Sequence, residues 1–246
     1  SKLGKFAIRE AAEVSFFDIE SGDLLVTLDT LKLTDINTTS ATEYARGGRG
    51  NPRLVGFSGD KEATMTIQDA LFDPRAMALL TGNEVESSTE NVFFRKKMMT
   101  TPTTLKEGMK IPADLKEVVV YKDNEIVEDG FSTEGGVFKV TDEEVGNGVS
   151  FIVTGMTDKK ATSIKVTSDA FPGTYRIVAD VLVRDAATGK DYAAQLIIPK
   201  GKVEDDFSFS FAPEGDPSVM DLPVEILKDT YSEDMWTLRI FDEEEA

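Results

Sequence analysis

NTTSATEYARGGRGNPRLVGFSGDKEATMTIQDALFDPRAMALLTG, residues 37–82, holds three patterns in succession. A polar, glycine-rich segment carrying Arg46, Arg49 and Arg53 comes first. It shows no apolar periodicity, and a loop of that length inside a compact chain is usually functional or disordered. From Lys61 to Gln68 the pattern becomes strict alternation, with Ala63, Met65 and Ile67 on one strand face and Thr64, Thr66 and Gln68 on the other. Asp73-Pro74 then has the form of a helix start, a carboxylate cap before a proline, and Thr81-Gly82 that of a helix stop. The helix expected over Pro74–Leu80 puts Met77, Leu79 and Leu80 where they can cover a sheet.

Working outward, Glu13–Phe17 and Leu24–Leu28 read as strands joined by the turn Glu20-Ser21-Gly22-Asp23. Leu31–Ile36 alternates toward the same core. Further on, EVVVYK at 117–122, VFKV at 137–140 and VSFIVT at 149–154 are strand-like, spaced by the glycine turns Glu134-Gly135-Gly136 and Gly146-Asn147-Gly148. Alternation returns over Tyr175–Arg184, and Ala187-Thr188-Gly189-Lys190 turns the chain into Tyr192–Ile198. Phe207, Phe209 and Phe211 recur at period two, an aromatic stripe suited to a core or an interface. The last strand, Met235–Phe241, contains the single Trp. The fold expected is mainly β: a β-sandwich or partly closed β-barrel with one short α-helix and an inserted β subdomain. The expected division is a discontinuous core over 1–99 and 165–246, with the insertion at 100–164.

Composition narrows the chemistry. The 246 residues include 27 Lys and Arg against 45 Asp and Glu, a net charge of −18. That balance argues against tight binding to nucleic acid or to an anionic membrane, because both reward cations that displace counterions. With no cysteine and no histidine, disulfides, thiolate and Ser-His-Asp chemistry and nearly all zinc and iron sites drop out. Acid pairs such as Asp23/Asp29, Glu143/Glu144 and Asp205/Asp206 resemble a glycosidase couple only superficially, since sequence neighbours on a strand face opposite ways. No stretch has the alternating ligands of a calcium loop. No cofactor and no enzymatic activity are expected. The polar start SKLGKFAIREAAE lacks a signal peptide's apolar centre, so synthesis in the cytoplasm is the expectation.

The basic loop has four readings. It is a solvated turn, an arginine-glycine nucleic-acid contact, a phosphate cradle, or an arm. The second lacks an aromatic platform, and the third lacks a following Gly-Lys-Ser/Thr. In the fourth, the arginines meet the acidic surface of another copy of the chain, where forked guanidinium–carboxylate pairing fixes register.

GGRGNPRLVGFSG, the alternating strand ending in TIQDAL and the helix ending in ALLTG together resemble the tail tube (major tail) protein family of tailed bacteriophages. TYRIVADVLVRDAATGKDYAAQLIIPKGKVEDDFSFSFAPEGDPSVMDLPVEIL resembles the closing strands of that family, with an Ile-Pro-Lys strand end and a Gly-Asp-Pro turn. The resemblance covers about 5–95 and 165–241; residues 100–157 fit it less well. It implies a structural virion protein whose subunits form rings, commonly hexameric, that stack into a hollow tube for phage DNA. Strands of neighbouring subunits would join into an inner barrel, and an acidic lumen would repel passing DNA. A tape-measure protein and possibly a sheath are the implied partners, with assembly in the bacterial host cytoplasm and no membrane contact. Tyr44, Arg46, Arg49, Arg53, Leu54 and Phe57 are the expected inter-subunit arm, mobile in the monomer and ordered in the tube. The competing class is a virion decoration or receptor-binding β module, or a tube subunit of a related contractile injection system.

Overall fold

The computed structural model describes residues 5–69, 73–207 and 220–241. In chain order, the strands β1 (Phe6–Asp18), β2 (Leu24–Leu28), β3 (Leu31–Arg46) and β4 (Arg53–Asp69) are followed by the helix α1 (Pro74–Thr81). Next come β5 (Glu86–Met99), the helix α2 (Pro102–Glu107), β6 (Met109–Lys110), β7 (Lys116–Lys122) and β8 (Glu125–Val127). Then β9 (Phe131–Ser132), β10 (Val137–Val140) and β11 (Ser150–Ser163) precede β12 (Thr174–Asp185), β13 (Asp191–Val203), β14 (Met220–Ile226) and β15 (Thr237–Phe241). The protein is mainly β, as the alternation predicts, and among the described residues its sheets are not closed. Of the phenylalanine stripe, Phe209 and Phe211 lie outside the described residues.

Two compact units divide the chain. One comprises Ser1–Val85 with Ile164–Ala246, the other Glu86–Ser163. The boundary falls at Glu86 rather than at residue 100, because β5 pairs with β11 along its whole length, from Met99↔Ser150 to Glu86↔Ser163. A strand in a fourteen-residue ladder follows its partner.

In the first unit an eight-stranded antiparallel sheet runs β2-β1-β12-β13-β14-β4-β3, with β15 beside β13. Its inner face is the alternation made physical: Val14 and Phe16 on β1, Met65 and Ile67 on β4, Ile177 on β12, Ile198 on β13 and Leu222 on β14 are all buried in one cluster. Met77, Leu79 and Leu80 of α1 join that cluster. α1 starts as its sequence dictates, with the Asp73 carboxylate accepting from the Arg75 N–H and Pro74 at the first turn. It stops at Gly82, whose φ of 69° is left-handed; a Cβ there would stand 2.1 Å from the Phe171 carbonyl oxygen. Glycine is required twice over at that position, by conformation and by space.

The second unit packs a four-stranded sheet, β5-β11-β7-β8, against a three-stranded one, β6-β10-β9. Phe138 of β10 links them, with its ring 5.6 Å from Phe151 and 5.7 Å from Phe131. Buried Thr100 closes one end: its hydroxyl donates to the Gly146 carbonyl and accepts from the Val149 N–H, each at 2.8 Å. α2 is a second helix beyond the one that periodicity predicts. Its six residues bury none of their number, so no apolar stripe marks it. Its signal is local instead, Thr101 capping before Pro102.

Candidate functional site

The expected loop is a β-hairpin. β3 and β4 pair from Leu31↔Asp69 to Arg46↔Arg53, with register shifts between Leu31 and Leu33, Ser40 and Thr42, and Ala45 and Arg46, and only Gly47–Pro52 form the turn. The Gly47 N–H donates to the Pro52 carbonyl at 3.3 Å and the Asn51 N–H to the Gly48 carbonyl at 3.1 Å. Gly48 and Gly50 take φ of 84° and 89°, which the Arg-Gly-Gly-Arg-Gly sequence supplies without steric cost.

The near end of the hairpin belongs to the core. There, β14 pairs with Ala63–Asp69 of β4, and the Trp236 indole N–H donates to the Thr38 hydroxyl at 3.0 Å. Beyond that point every residue from Asn37 to Arg46 and from Arg53 to Glu62 is exposed. At about 3.4 Å per residue the exposed ribbon is about 30 Å long. This is why it has no apolar alternation: a ribbon with water on both faces has no inner side to mark. Its thread of Thr38, Thr39 and Thr42 on β3, with Val55 and Phe57 on β4 opposite Ala45 and Glu43, is β-favouring sequence and is the signal that hydrophobic periodicity overlooks.

All six residues singled out from sequence, Tyr44, Arg46, Arg49, Arg53, Leu54 and Phe57, lie on the far end of this ribbon or in its turn. Tyr44 sits opposite Gly56, and a Cβ on Gly56 would come within 3.1 Å of the Tyr44 ring. A register shift between Ala45 and Arg46 passes over Leu54 and sets Arg46 opposite Arg53. The Arg53 guanidinium then lies 4.2 Å from the centre of the Tyr44 ring, a contact worth about 0.5–1 kcal/mol at an exposed site. Two like charges face each other across the strands, which is unfavourable. None of the three arginines forms an ion pair among the described residues. Leu54 is 62% and Phe57 60% exposed. The tip is thus a cationic surface with apolar side chains among its charges, suited to an acidic protein surface.

Nothing comparable supports catalysis. Asp18, Asp73 and Asp114 depart from ordinary acidity, and all three are shifted down. Asp18 is held low by the Ser21 N–H, then the Ser21 hydroxyl and the Glu20 N–H. Burial opposes ionisation of Asp73, but the Arg75 side chain, its N–H and its charge outweigh that. Asp114 is held low by the Asp158 N–H and the Thr157 hydroxyl. These are turn, cap and strand anchors; a general acid needs the opposite shift. Of the acid pairs in the sequence, Asp205 and Asp206 lie along a shallow groove with Asp221, while Glu143 and Glu144 are exposed. Among the described residues no three Asp or Glu gather to hold a metal ion, and no helix is long and apolar enough to cross a membrane.

Comparison with known proteins adds an independent line. The model of the YomU/Tube protein family matches residues 6–237. The tail tube protein of Bacillus phage SPR is 28% identical over 107 residues, 43% of this chain. That match covers 40% of the relative's length.

Proposed function

The chain belongs to the YomU/Tube protein family, a structural and non-enzymatic tube family of the phage virion tail, and from that membership we propose that it polymerises into stacked rings, hexameric by the family pattern, forming the conduit for DNA ejection. The observation that carries the reading is the projecting hairpin. A two-stranded ribbon about 30 Å long is marginal by itself in water, and its arginines form no ion pair among the described residues. A neighbouring subunit supplies the missing surface, and docking there covers the exposed ribbon.

The sheet adds support. Among the described residues its order ends at β2 on one side and β3 on the other, and β15 pairs with β13 alone, leaving strand edges whose backbone groups can pair with strands of adjacent copies. Such pairing around a ring is a closed heterologous contact, and stacking of rings is an open one that builds a filament. The net charge of −18 fits an acidic lumen, which offers passing DNA no cations to displace the counterions condensed on its phosphates. A tape-measure protein inside the tube and possibly a sheath outside complete the proposed partners. Assembly takes place in the host cytoplasm.

One observation favours a second reading. The outer face of the β5-β11-β7-β8 sheet exposes Phe93 and Ile126 beside Arg95 and Lys97, a surface fit for a decoration or receptor-binding role of the second unit. Negative-stain microscopy of the purified protein separates the two: tubes with a central hole support the first, and monomers that bind a capsid or glycan support the second.

A further inference from the structure

At the base of the same hairpin lies a groove of about 810 Å³. Its walls carry Asp60 and Glu62 of β4, Glu204 after β13, Glu225 of β14 and Glu233. Lys61 and Lys228 are the lining cations, and Lys228 is already engaged by Glu233 at 2.7 Å. Five carboxylates against two lysines leave a net charge of minus three. Between them run Leu227 and Met235, so the groove offers apolar contact as well as charge. The hairpin tip has the inverse character: Arg46, Arg49 and Arg53 give plus three, interleaved with exposed Tyr44, Leu54 and Phe57.

We propose that the hairpin tip of one copy docks into this acidic groove of the next copy, making tip and groove the two halves of one head-to-tail contact. The inference rests on the reading of the hairpin as an assembly arm, and it names what the arm grips.

The tip does not fill its own groove. Tip and groove lie on the same strand, and Arg53 stands about 24 Å along β4 from Asp60. The strands between are paired with each other, so the ribbon holds its own tip away from the groove. The exposure of the tip and the absence of ion pairs at its arginines, among the described residues, agree with that separation. A knob and a socket on one chain, at a distance that forbids self-closure, generate an open series of copies. Guanidinium forks on carboxylates fix the register of each contact, and the aromatic and aliphatic side chains of the tip cover Leu227 and Met235.

Charge exchange tests the pairing. A tip variant, Arg46→Glu with Arg49→Glu and Arg53→Glu, and a groove variant, Asp60→Lys with Glu62→Lys and Glu225→Lys, change only exposed positions. Each should keep the circular-dichroism spectrum of the parent and raise the critical concentration for polymerisation at least about ten-fold, the effect of 1.4 kcal/mol per contact. The six-substitution chain that carries both sets should polymerise again. If the tip variant polymerises like the parent, the arm reading and this pairing both fall. Should the tip variant be blocked while the groove variant is not, the arm stands and the groove is not its receptor. A folded six-substitution chain that stays unassembled would also overturn the pairing.

Discussion

The Arg53 guanidinium stacks 4.2 Å above the Tyr44 ring while Arg46 stands opposite it in the β ladder. The ring offsets part of the repulsion between the two cations, and the remainder favours any contact that brings carboxylates. Replacing Arg46, Arg49 and Arg53 together by Ala should therefore leave a folded monomer with unchanged thermal unfolding and poor polymerisation. Sedimentation velocity measures both populations. A triple variant that forms tubes of normal length would show that the arm has no role in assembly.

Gly56 makes room for that ring. Gly56→Val should displace Tyr44 and with it the Arg53 stack, because even a Cβ comes within 3.1 Å of the ring. The expected outcome is weakened assembly with the core intact, since residue 56 lies on the exposed part of the ribbon. Tyr44 fluorescence is masked by other tyrosines, so the ring contact is better followed by the NMR shift of the Arg53 side chain. An unmoved shift would contradict the prediction.

The second unit begins and ends in one ladder, with Glu86 paired to Ser163. Its termini are therefore about 5 Å apart, the geometry of an insertion that can be removed without stretching its host. We predict that replacing 86–163 with a short Gly-Ser linker leaves a folded first unit, and that residues 86–163 fold alone around Phe138 and Phe151. Circular dichroism and cooperative urea unfolding of the two pieces check this; a molten or insoluble first unit would refute it.

Core substitutions give the scale of stability. Leu222 is fully buried at the middle of the first unit's cluster, so Leu222→Ala should cost about 2–5 kcal/mol. Gly82→Ala should cost at least about 1–2 kcal/mol from the left-handed backbone, and more from the clash with Phe171. Urea midpoints at constant slope measure both.

Acid should weaken the second unit through Asp114. Its carboxyl is held below its ordinary value of 3.8 chiefly by the Asp158 N–H and next by the Thr157 hydroxyl. A depressed folded value means the contribution is fully present above 3.8 and is lost as pH falls through the lower folded value. The stability difference between the parent and Asp114→Asn should thus be largest near neutrality and shrink below about pH 4. A difference independent of pH would show that the charge of Asp114 is irrelevant.

Several elements were legible in the sequence because they bury one face. β2, β10 and α1 fall at or within a residue of where alternation and capping put them, since Val26, Val140 and Leu80 must reach a core. The outer ribbon was not legible for the complementary reason: Asn37–Arg46 and Arg53–Glu62 bury nothing, so their strand character resides in backbone pairing and threonine content. What marked its far end in the sequence was charge, because Arg46, Arg49 and Arg53 stand out as a cluster in an acidic chain whatever its secondary structure. The groove could not be seen in advance. Asp60, Glu204, Glu225 and Glu233 come from four separate segments and converge only once β13, β14 and β4 lie side by side.

The most direct test of the central claim is negative-stain electron microscopy of the purified full chain across a concentration series. Rings and tubes with a stain-filled central hole, lengthening as concentration rises, are the expected result. A protein that stays a featureless monomer at every concentration, in low and moderate salt alike, would contradict it.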